Sequence, residues 1–148
     1  MKPLLALAGV CLALSACATT GRLDDTQTLA LYNAHAGPPV NDMLLFGSIN
    51  GWTALGDSAL AVWTRPSEAY LLKLAGPCQG LDFAMAIGVT SSGSRVSRGF
   101  DRVLVRDPGG LPQLPCTISS IQKLDVKSLK ASEKELRQAQ VQEREAQD

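Results

Sequence analysis

The sequence has few of the residues from which hydrolytic and metal-dependent active sites are built. Its 148 residues include one histidine, His35. A single histidine cannot form a histidine-rich metal site, and a Ser-His-acid triad would have to recruit that one residue. The sequence also lacks a Gly-x-Ser-x-Gly elbow, a His-Glu-x-x-His helix and a phosphate-binding Gly-Lys-Ser/Thr loop. It therefore predicts no metal, no cofactor and no catalytic residue of these classes.

Excess charge of either sign is also lacking. Lys and Arg number 14, Asp and Glu number 14, and the formal net charge is zero. Such a chain has no overall field to attract nucleic acid, so we expect no nucleic-acid partner. Aromatic residues make up 5% of the chain, so its core must be built mainly from Leu, Val, Ile and Ala. The length fits one domain with tails.

The N-terminus has the three parts of a bacterial export signal. Lys2 supplies a positive charge, residues 4–13 are apolar, and Leu14-Ser15-Ala16 supplies small residues before a cleavage site. A transmembrane helix needs about 20 apolar residues, and this run is shorter. The pattern predicts that residues 1–16 are a signal peptide that is removed before Cys17.

Leu14-Ser15-Ala16-Cys17 resembles the lipobox of bacterial lipoproteins. The resemblance implies that the Cys17 thiol receives diacylglycerol and that its new amine is acylated, for example with palmitate. Two or more chains give stable membrane anchoring, whereas one is marginal. Ala18 stands where an inner-membrane retention signal has Asp, which implies the periplasmic face of the outer membrane. The alternative is a plain signal peptide followed by a chance cysteine.

Two cysteines remain after Cys11 leaves with the signal and Cys17 is lipidated. In an oxidising compartment, Cys78 and Cys116 are predicted to form a disulfide. Closing a loop of this length is worth about 4 kcal/mol in the chain-entropy model. The alternative is two free or metal-binding thiols, but neither lies in a Cys-x-x-Cys pair and no histidine is near either one.

Composition divides the mature chain into three parts. Residues 17–28 are predicted to be a lipidated tether, 29–125 a single β-rich domain, and 126–148 a charged tail that is helical or disordered. A short helix is expected over 26–35, and His35 lies in its last turn. There it interacts favourably with the helix C-terminus, which is a simpler role than catalysis or ligand binding.

The predicted fold class is mainly β (α+β). Short runs separated by turn residues predict an antiparallel sheet, barrel or sandwich of about 6–7 strands, with the short N-terminal helix and the C-terminal tail outside it. Asn50-Gly51 is typical of a type I′ hairpin turn. The predicted strands cover residues 43–48, 52–55, 58–64, 68–74, 82–89, 101–107 and 116–124.

Alternation is clearest in the run 82–89. It predicts a strand whose large residues face the core, and whose small residues face a closely packed cover such as helix 26–35. In 101–107, Val103 and Val105 are expected to point inward. The large residues of 82–89 are Phe83, Met85, Ile87 and Val89, and the small ones are Ala84, Ala86 and Gly88.

Several short motifs occur together between residues 40 and 125. They are Trp52, Tyr70-Leu71-Leu72, Cys78-x-Gly80-Leu81, Gly99-Phe100-Asp101-x-Val103 and Cys116-x-Ile118-x-x-Ile121. With the lipobox, this set resembles an uncharacterised family of small proteobacterial lipoproteins with a domain of unknown function. The resemblance supports the fold and the disulfide, and it implies no activity.

Four arginines lie within a dozen positions, at Arg95, Arg98, Arg102 and Arg106. The planar guanidinium suits phosphate and carboxylate groups, so this patch is a candidate anion-binding site. In the cell envelope the partner would be an anionic lipid, peptidoglycan or an acidic protein. The alternative is a solvated surface that Asp101 and Asp107 partly neutralise.

Two classes of function stay open. The first is a non-enzymatic binding or accessory module of the envelope, held to the membrane by lipid on Cys17. An inhibitor of a periplasmic enzyme would belong to this class. The second is a hydrolase acting on an envelope polymer through a pair of carboxylates. The candidate carboxylates are Asp57, Glu68, Asp82 and Asp101.

Overall fold

A computed structural model describes residues 23–106 and 114–147. It confirms a mainly β fold with a short N-terminal helix, and it shows a curled antiparallel half-barrel. The described residues form nine strands, where the sequence predicted about 6–7. The elements are α1 (Asp25–Ala34), β1 (Ala36–Val40), β2 (Asp42–Leu44), β3 (Gly51–Ala54), β4 (Ala59–Arg65), β5 (Glu68–Leu74), β6 (Ala86–Val89), β7 (Arg95–Ser97), β8 (Arg102–Arg106), β9 (Cys116–Leu124) and α2 (Val126–Gln147).

The large sheet has the order β3-β4-β5-β9-β8-β6, and β1 pairs with the C-terminal half of β9. A separate two-stranded sheet joins β2 and β7. Strand β5 is central, between β4 and β9. Strand β9 contains a bulge, because Lys73 and Leu74 pair with Ser120 and Ile118 and leave Ser119 without a partner in β5.

Helix α1 begins at Asp25, one residue before the start of the helix predicted over 26–35. Asp24 Oδ1 accepts a hydrogen bond from Gln27 N at 2.7 Å, and Gln27 Oε1 accepts one from Asp24 N at 3.1 Å. This reciprocal capping box satisfies amide groups that the first helical turn leaves without partners. The helix therefore includes residues 25–28, which the sequence placed in the tether. It ends at Ala34, so His35 follows the last turn as the C-cap.

The sheet carries a core on each face, because its central strands alternate with a period of two. In β4, Leu60 and Val62 enter one core, while Ala61 and Trp63 face the other. Helices α1 and α2 cover the second face through Tyr32 and other residues. Small residues on that face allow the helices to approach the sheet closely. The second core contains Tyr32, Leu55, Ala59, Ala61, Ala69, Leu71, Leu124, Val126 and Leu129.

The prediction of a hairpin turn at Asn50-Gly51 is wrong. Strand β2 pairs with β7, more than fifty residues away, and β3 pairs with β4. Gly51 is absent from the described residues with positive φ, and it begins β3 as an ordinary extended residue. Asn50 N donates to Trp63 O at 2.7 Å, which extends the β3–β4 ladder. A long-range pairing therefore overrides the local turn preference of this dipeptide.

The strand predicted over 82–89 is wrong in its first half and present in its second half as β6. Its first part forms a 3-10 turn, Leu81–Phe83, and the strand starts at Ala86. Phe83 is 82% exposed and Met85 is 74% exposed, while Leu81 is fully buried. Because Leu81 takes the core position next to the Cys78 loop, the turn that follows carries Phe83 and Met85 outward.

The covering helix predicted for that strand lies elsewhere. Ala86 is exposed, so no helix covers this side of β6. Helix α1 instead packs over Ala59, Ala61 and Ala69 of the β4–β5 hairpin. Ile87 and Val89 do pack against the first core, as predicted.

Strand β8 and the C-terminal tail follow the sequence more closely. Val103 and Val105 are buried and the residues between them are exposed, as the alternation in 101–107 predicted. The run Pro108-Gly109-Gly110-Leu111-Pro112, whose composition predicts an irregular loop, lies outside the described residues. The tail is helical in α2, and Leu129 docks it to the second core. Across 23–106 and 114–147, no helix has the combined length and apolarity to cross a bilayer.

Candidate functional site

A groove of about 500 Å³ lies between the two helices and the edge strand β3. Residues of α1, α2 and β3 line it. Apolar and polar side chains share the surface, so the groove can hold a ligand or a peptide segment with both characters. Its lining residues are Leu23, Asp25, Thr28, Leu31, Tyr32, Thr53, Ala54, Glu133, Leu136, Arg137 and Gln140.

A hydrogen bond between Tyr32 and Glu133 joins α1 to α2 at this groove. The Tyr32 hydroxyl donates to Glu133 Oε1 at 3.0 Å, and the Tyr32 side chain is 4% exposed. The Tyr32 ring also meets Trp63 edge to face at a centroid distance of 6.4 Å. Burial, followed by the negative charge of Glu133, raises the pKa of the Tyr32 phenol well above its usual value. At neutral pH this phenol is a hydrogen-bond donor and not a base.

His35 makes the second link between the helices. Its Nε2 lies 3.1 Å from Ser132 Oγ, and its backbone carbonyl accepts a hydrogen bond from Asp125 N at 2.9 Å. Asp125 in turn accepts two hydrogen bonds from Ser128, which lower the pKa of the Asp125 carboxyl. Neither link has a pattern in the sequence, because each joins residues about one hundred positions apart. The sequence placed His35 correctly next to a helix end but did not indicate its partner.

We expect Tyr32→Phe to lower the free energy of unfolding by about 1–2 kcal/mol at neutral pH, because a hydrogen bond to a charged group is lost. The raised pKa also predicts that the folded protein keeps a proton that the unfolded chain releases above about pH 10. Stability should therefore fall as pH rises above 10, and Tyr32→Phe should flatten this fall. Urea unfolding at pH 7, 10 and 11 measures both effects.

Glu133→Gln is the matched control for this bond, since it keeps an acceptor oxygen and removes the charge. It should cost less than Tyr32→Phe at neutral pH. A Tyr32→Phe protein with the stability and pH profile of the natural chain would contradict the role assigned to the bond.

The four arginines lie in two places: Arg95 is on β7 and Arg98 follows it directly, while Arg102 and Arg106 are on β8. Arg95 forms an ion pair with Asp42 at 2.8 Å, and Arg98 Nε donates to Asn41 Oδ1 at 3.1 Å, which ties the β7 region to the β2 region. Arg102 and Arg106 lie on the exposed face of β8 and flank Leu104, which is 41% exposed. The candidate anion-binding surface is therefore concentrated at β8. Asp107 lies outside the described residues.

Two of the four candidate carboxylates hold the fold together. Glu68 accepts a hydrogen bond from Thr64 and lies 4.0 Å from Lys123 Nζ. Asp101 accepts hydrogen bonds from Thr90 Oγ1 and from Ser97 N, both at 2.7 Å, and so fixes the turn that enters β8. Both carboxylates are thus occupied by local contacts.

The other two, Asp57 and Asp82, share a second, open cleft with Asp25. Burial raises the pKa of the Asp82 carboxyl, and the charges of Asp25 and Asp57 add to the effect. Asp57 also accepts a hydrogen bond from Ser58 Oγ. Within 23–106 and 114–147, no group of three or more His, Cys, Asp or Glu side chains is arranged to hold a metal ion.

The predicted cysteine pair forms a disulfide. Cys78 and Cys116 are bonded, with their Cα atoms 5.7 Å apart. Cys78 is 1% exposed, and its amide donates to Asp57 O at 2.7 Å. The bridge therefore joins the loop after β5 to the start of β9, next to the β3–β4 turn. Cys17 lies outside the described residues.

Comparison with known proteins adds one finding. No curated protein and no solved structure matches the chain. A profile described as a family of unknown function, DUF6491, matches residues 1–140. This match includes α1, the whole sheet, the paired cysteines and the greater part of α2. The chain therefore belongs to DUF6491, a family of unknown function.

Proposed function

We propose that this chain is a lipoprotein whose Cys17 carries the lipid, held at the periplasmic face of the outer membrane as a non-enzymatic binding module of the envelope. The observation that carries the proposal is Leu14-Ser15-Ala16-Cys17 at the end of a short apolar run. The buried Cys78–Cys116 disulfide supports it, because such bonds persist in oxidising compartments outside the cytoplasm. Two or more acyl chains would hold the protein firmly to the membrane.

The test of the anchor is to express the full chain in a bacterium with two membranes, as the natural sequence and as Cys17→Ser. The natural chain should lose residues 1–16, gain the mass of the lipid on residue 17, and sediment with the outer membrane. Cys17→Ser should lack the added mass, keep residues 1–16 and be absent from the outer-membrane fraction. Ala18→Asp is the sorting control, and it should keep the lipid but move to the inner membrane. An unmodified Cys17 in the natural chain would refute the anchor.

Binding fits this domain better than catalysis. Glu68 and Asp101 are engaged in the fold, and the Tyr32 phenol cannot serve as a base at neutral pH. The β8 surface, with Arg102 and Arg106 on either side of Leu104, offers two exposed guanidinium groups to an acidic partner. Peptidoglycan and anionic lipid headgroups carry the carboxylates and phosphates that such groups bind.

Sedimentation with purified sacculi and with anionic vesicles tests the β8 surface. The double variant Arg102→Ala, Arg106→Ala should bind more weakly than the natural chain. The double variant Lys134→Ala, Arg144→Ala removes the same charge from exposed positions of α2 outside the groove, and it should bind as the natural chain does. If both variants lost binding equally, net charge alone would explain the effect. If neither variant lost binding, the β8 surface would not be the binding site.

A further inference from the structure

Three of the most exposed large apolar side chains lie close in sequence to the two disulfide-bonded cysteines. Phe83 is 82% exposed, Met85 is 74% exposed and Leu114 is 87% exposed. Phe83 and Met85 lie in the segment after Cys78, and Leu114 lies just before Cys116. We call the part of the molecule that carries these three residues the Phe83 end. Met85 N donates to Arg106 O at 3.1 Å, which places the C-terminal end of β8 beside it.

The N-terminus of α1 lies at this same end of the molecule. Asp25 lines one cleft with Asp57 and Asp82, and Asp82 immediately precedes Phe83. A Cβ atom on Gly56 would lie only 3.8 Å from the Cβ of Asp25. The chain that arrives from Cys17 therefore enters the fold next to Phe83.

The length of that connection limits how far the domain can lie from a membrane-bound Cys17. Leu23 follows Cys17 by six residues, and an extended chain of this length spans at most about 22 Å. At the opposite end of β4, Phe46 shares a pocket with Arg65 and is 65% exposed. Strand β4 has seven residues, so Phe46 lies on the order of 20 Å from the β3–β4 turn.

We infer that Phe83, Met85 and Leu114 rest on the phospholipid bilayer that holds the lipid on Cys17, so this inference depends on the proposed lipidation. Removing these exposed apolar side chains from water favours such contact. Asp25, Asp57 and Asp82 beside the contact disfavour a strongly anionic surface. The contact is thus apolar in origin and forms on zwitterionic lipid.

The test uses the acylated full chain in phosphatidylcholine vesicles, with a polarity-sensitive maleimide dye on a cysteine introduced as Phe83→Cys. Phe46→Cys is the matched control, an exposed phenylalanine at the other end of β4. Dye emission and its quenching by nitroxide-labelled lipid are measured at both sites. The parent protein is treated in parallel, because acylated Cys17 and the Cys78–Cys116 disulfide leave the mature chain without a reactive thiol.

The expected result is a blue shift and strong quenching at position 83, with water-like emission and weak quenching at position 46. Water-like emission at both positions, or lipid-like emission at both, overturns the inference while the anchor stands. Dye uptake by the parent protein reports an unmodified thiol at Cys17, or a retained leader with Cys11, and so refutes the proposed lipidation. The two failures are therefore told apart within one experiment.

Discussion

Replacing Cys78 and Cys116 together by alanine is expected to lower the free energy of unfolding by about 4 kcal/mol. The disulfide spans 38 positions, and it limits the conformations available to the unfolded chain. It also holds the loop after β5, whose Leu81 is fully buried, against the start of β9. Since small domains are stable by about 5–15 kcal/mol, this loss is a large share of the total.

Urea unfolding followed by the fluorescence of Trp52 and Trp63 measures this loss. The natural chain reduced with dithiothreitol is the matched comparison, because it lacks the same bond but keeps both sulfur atoms. The reduced protein and the double variant should unfold at similar urea concentrations. These concentrations should be well below the one at which the oxidised protein unfolds. A double variant as stable as the oxidised protein would mean that the bridge contributes nothing.

Replacing Leu72 by alanine is the second change with a large expected effect, about 3–4 kcal/mol of lost stability. Leu72 lies in the middle of β5, opposite Leu60 of β4 on one side and Ile121 of β9 on the other. All three side chains are fully buried. Removing the Leu72 methyl groups leaves a cavity that three hydrogen-bonded strands cannot close. The variant therefore loses the free energy of burying these groups, and the cavity destabilises it further.

Leu104→Ala is the control for this effect, since it makes the same chemical change in the same sheet. Leu104 lies on β8 and is 41% exposed, so its replacement should cost less than about 1 kcal/mol. Both variants are compared with the natural chain by urea unfolding. Similar losses from the two substitutions would contradict the assignment of the core to the β4–β5–β9 surface.

The features that the sequence predicted correctly depend on neighbours along the chain. The helix expected over 26–35 is present as α1, and the capping box at its start joins Asp24 and Gln27, which are only three positions apart. In β8 the valines alternate with exposed residues, which defines the two faces of a strand without knowledge of its partners. The disulfide was predicted because Cys11 and Cys17 are accounted for at the N-terminus, which leaves one pair.

The features that it did not predict depend on distant partners. The prediction of a hairpin turn at Asn50-Gly51 was wrong because β2 pairs with β7 and not with β3. The strand at 82–89 failed because Leu81 takes the core position, and this depends on how the disulfide holds its loop. Tyr32 and Glu133 are 101 positions apart, and nothing near either residue indicates the other. The groove that Tyr32 and Glu133 line could therefore not be located from the sequence.

For this protein, the sequence by itself determined the helix start, the strand alternation, the pairing of the cysteines and membership of DUF6491. These follow from steric and capping preferences of a few adjacent residues, or from the sequence pattern itself. The tertiary structure alone decided which strands pair, where α1 and α2 pack, and that Phe83 and Met85 face solvent. Those outcomes follow from competition among distant segments for the same buried surface, and local preferences do not resolve that competition.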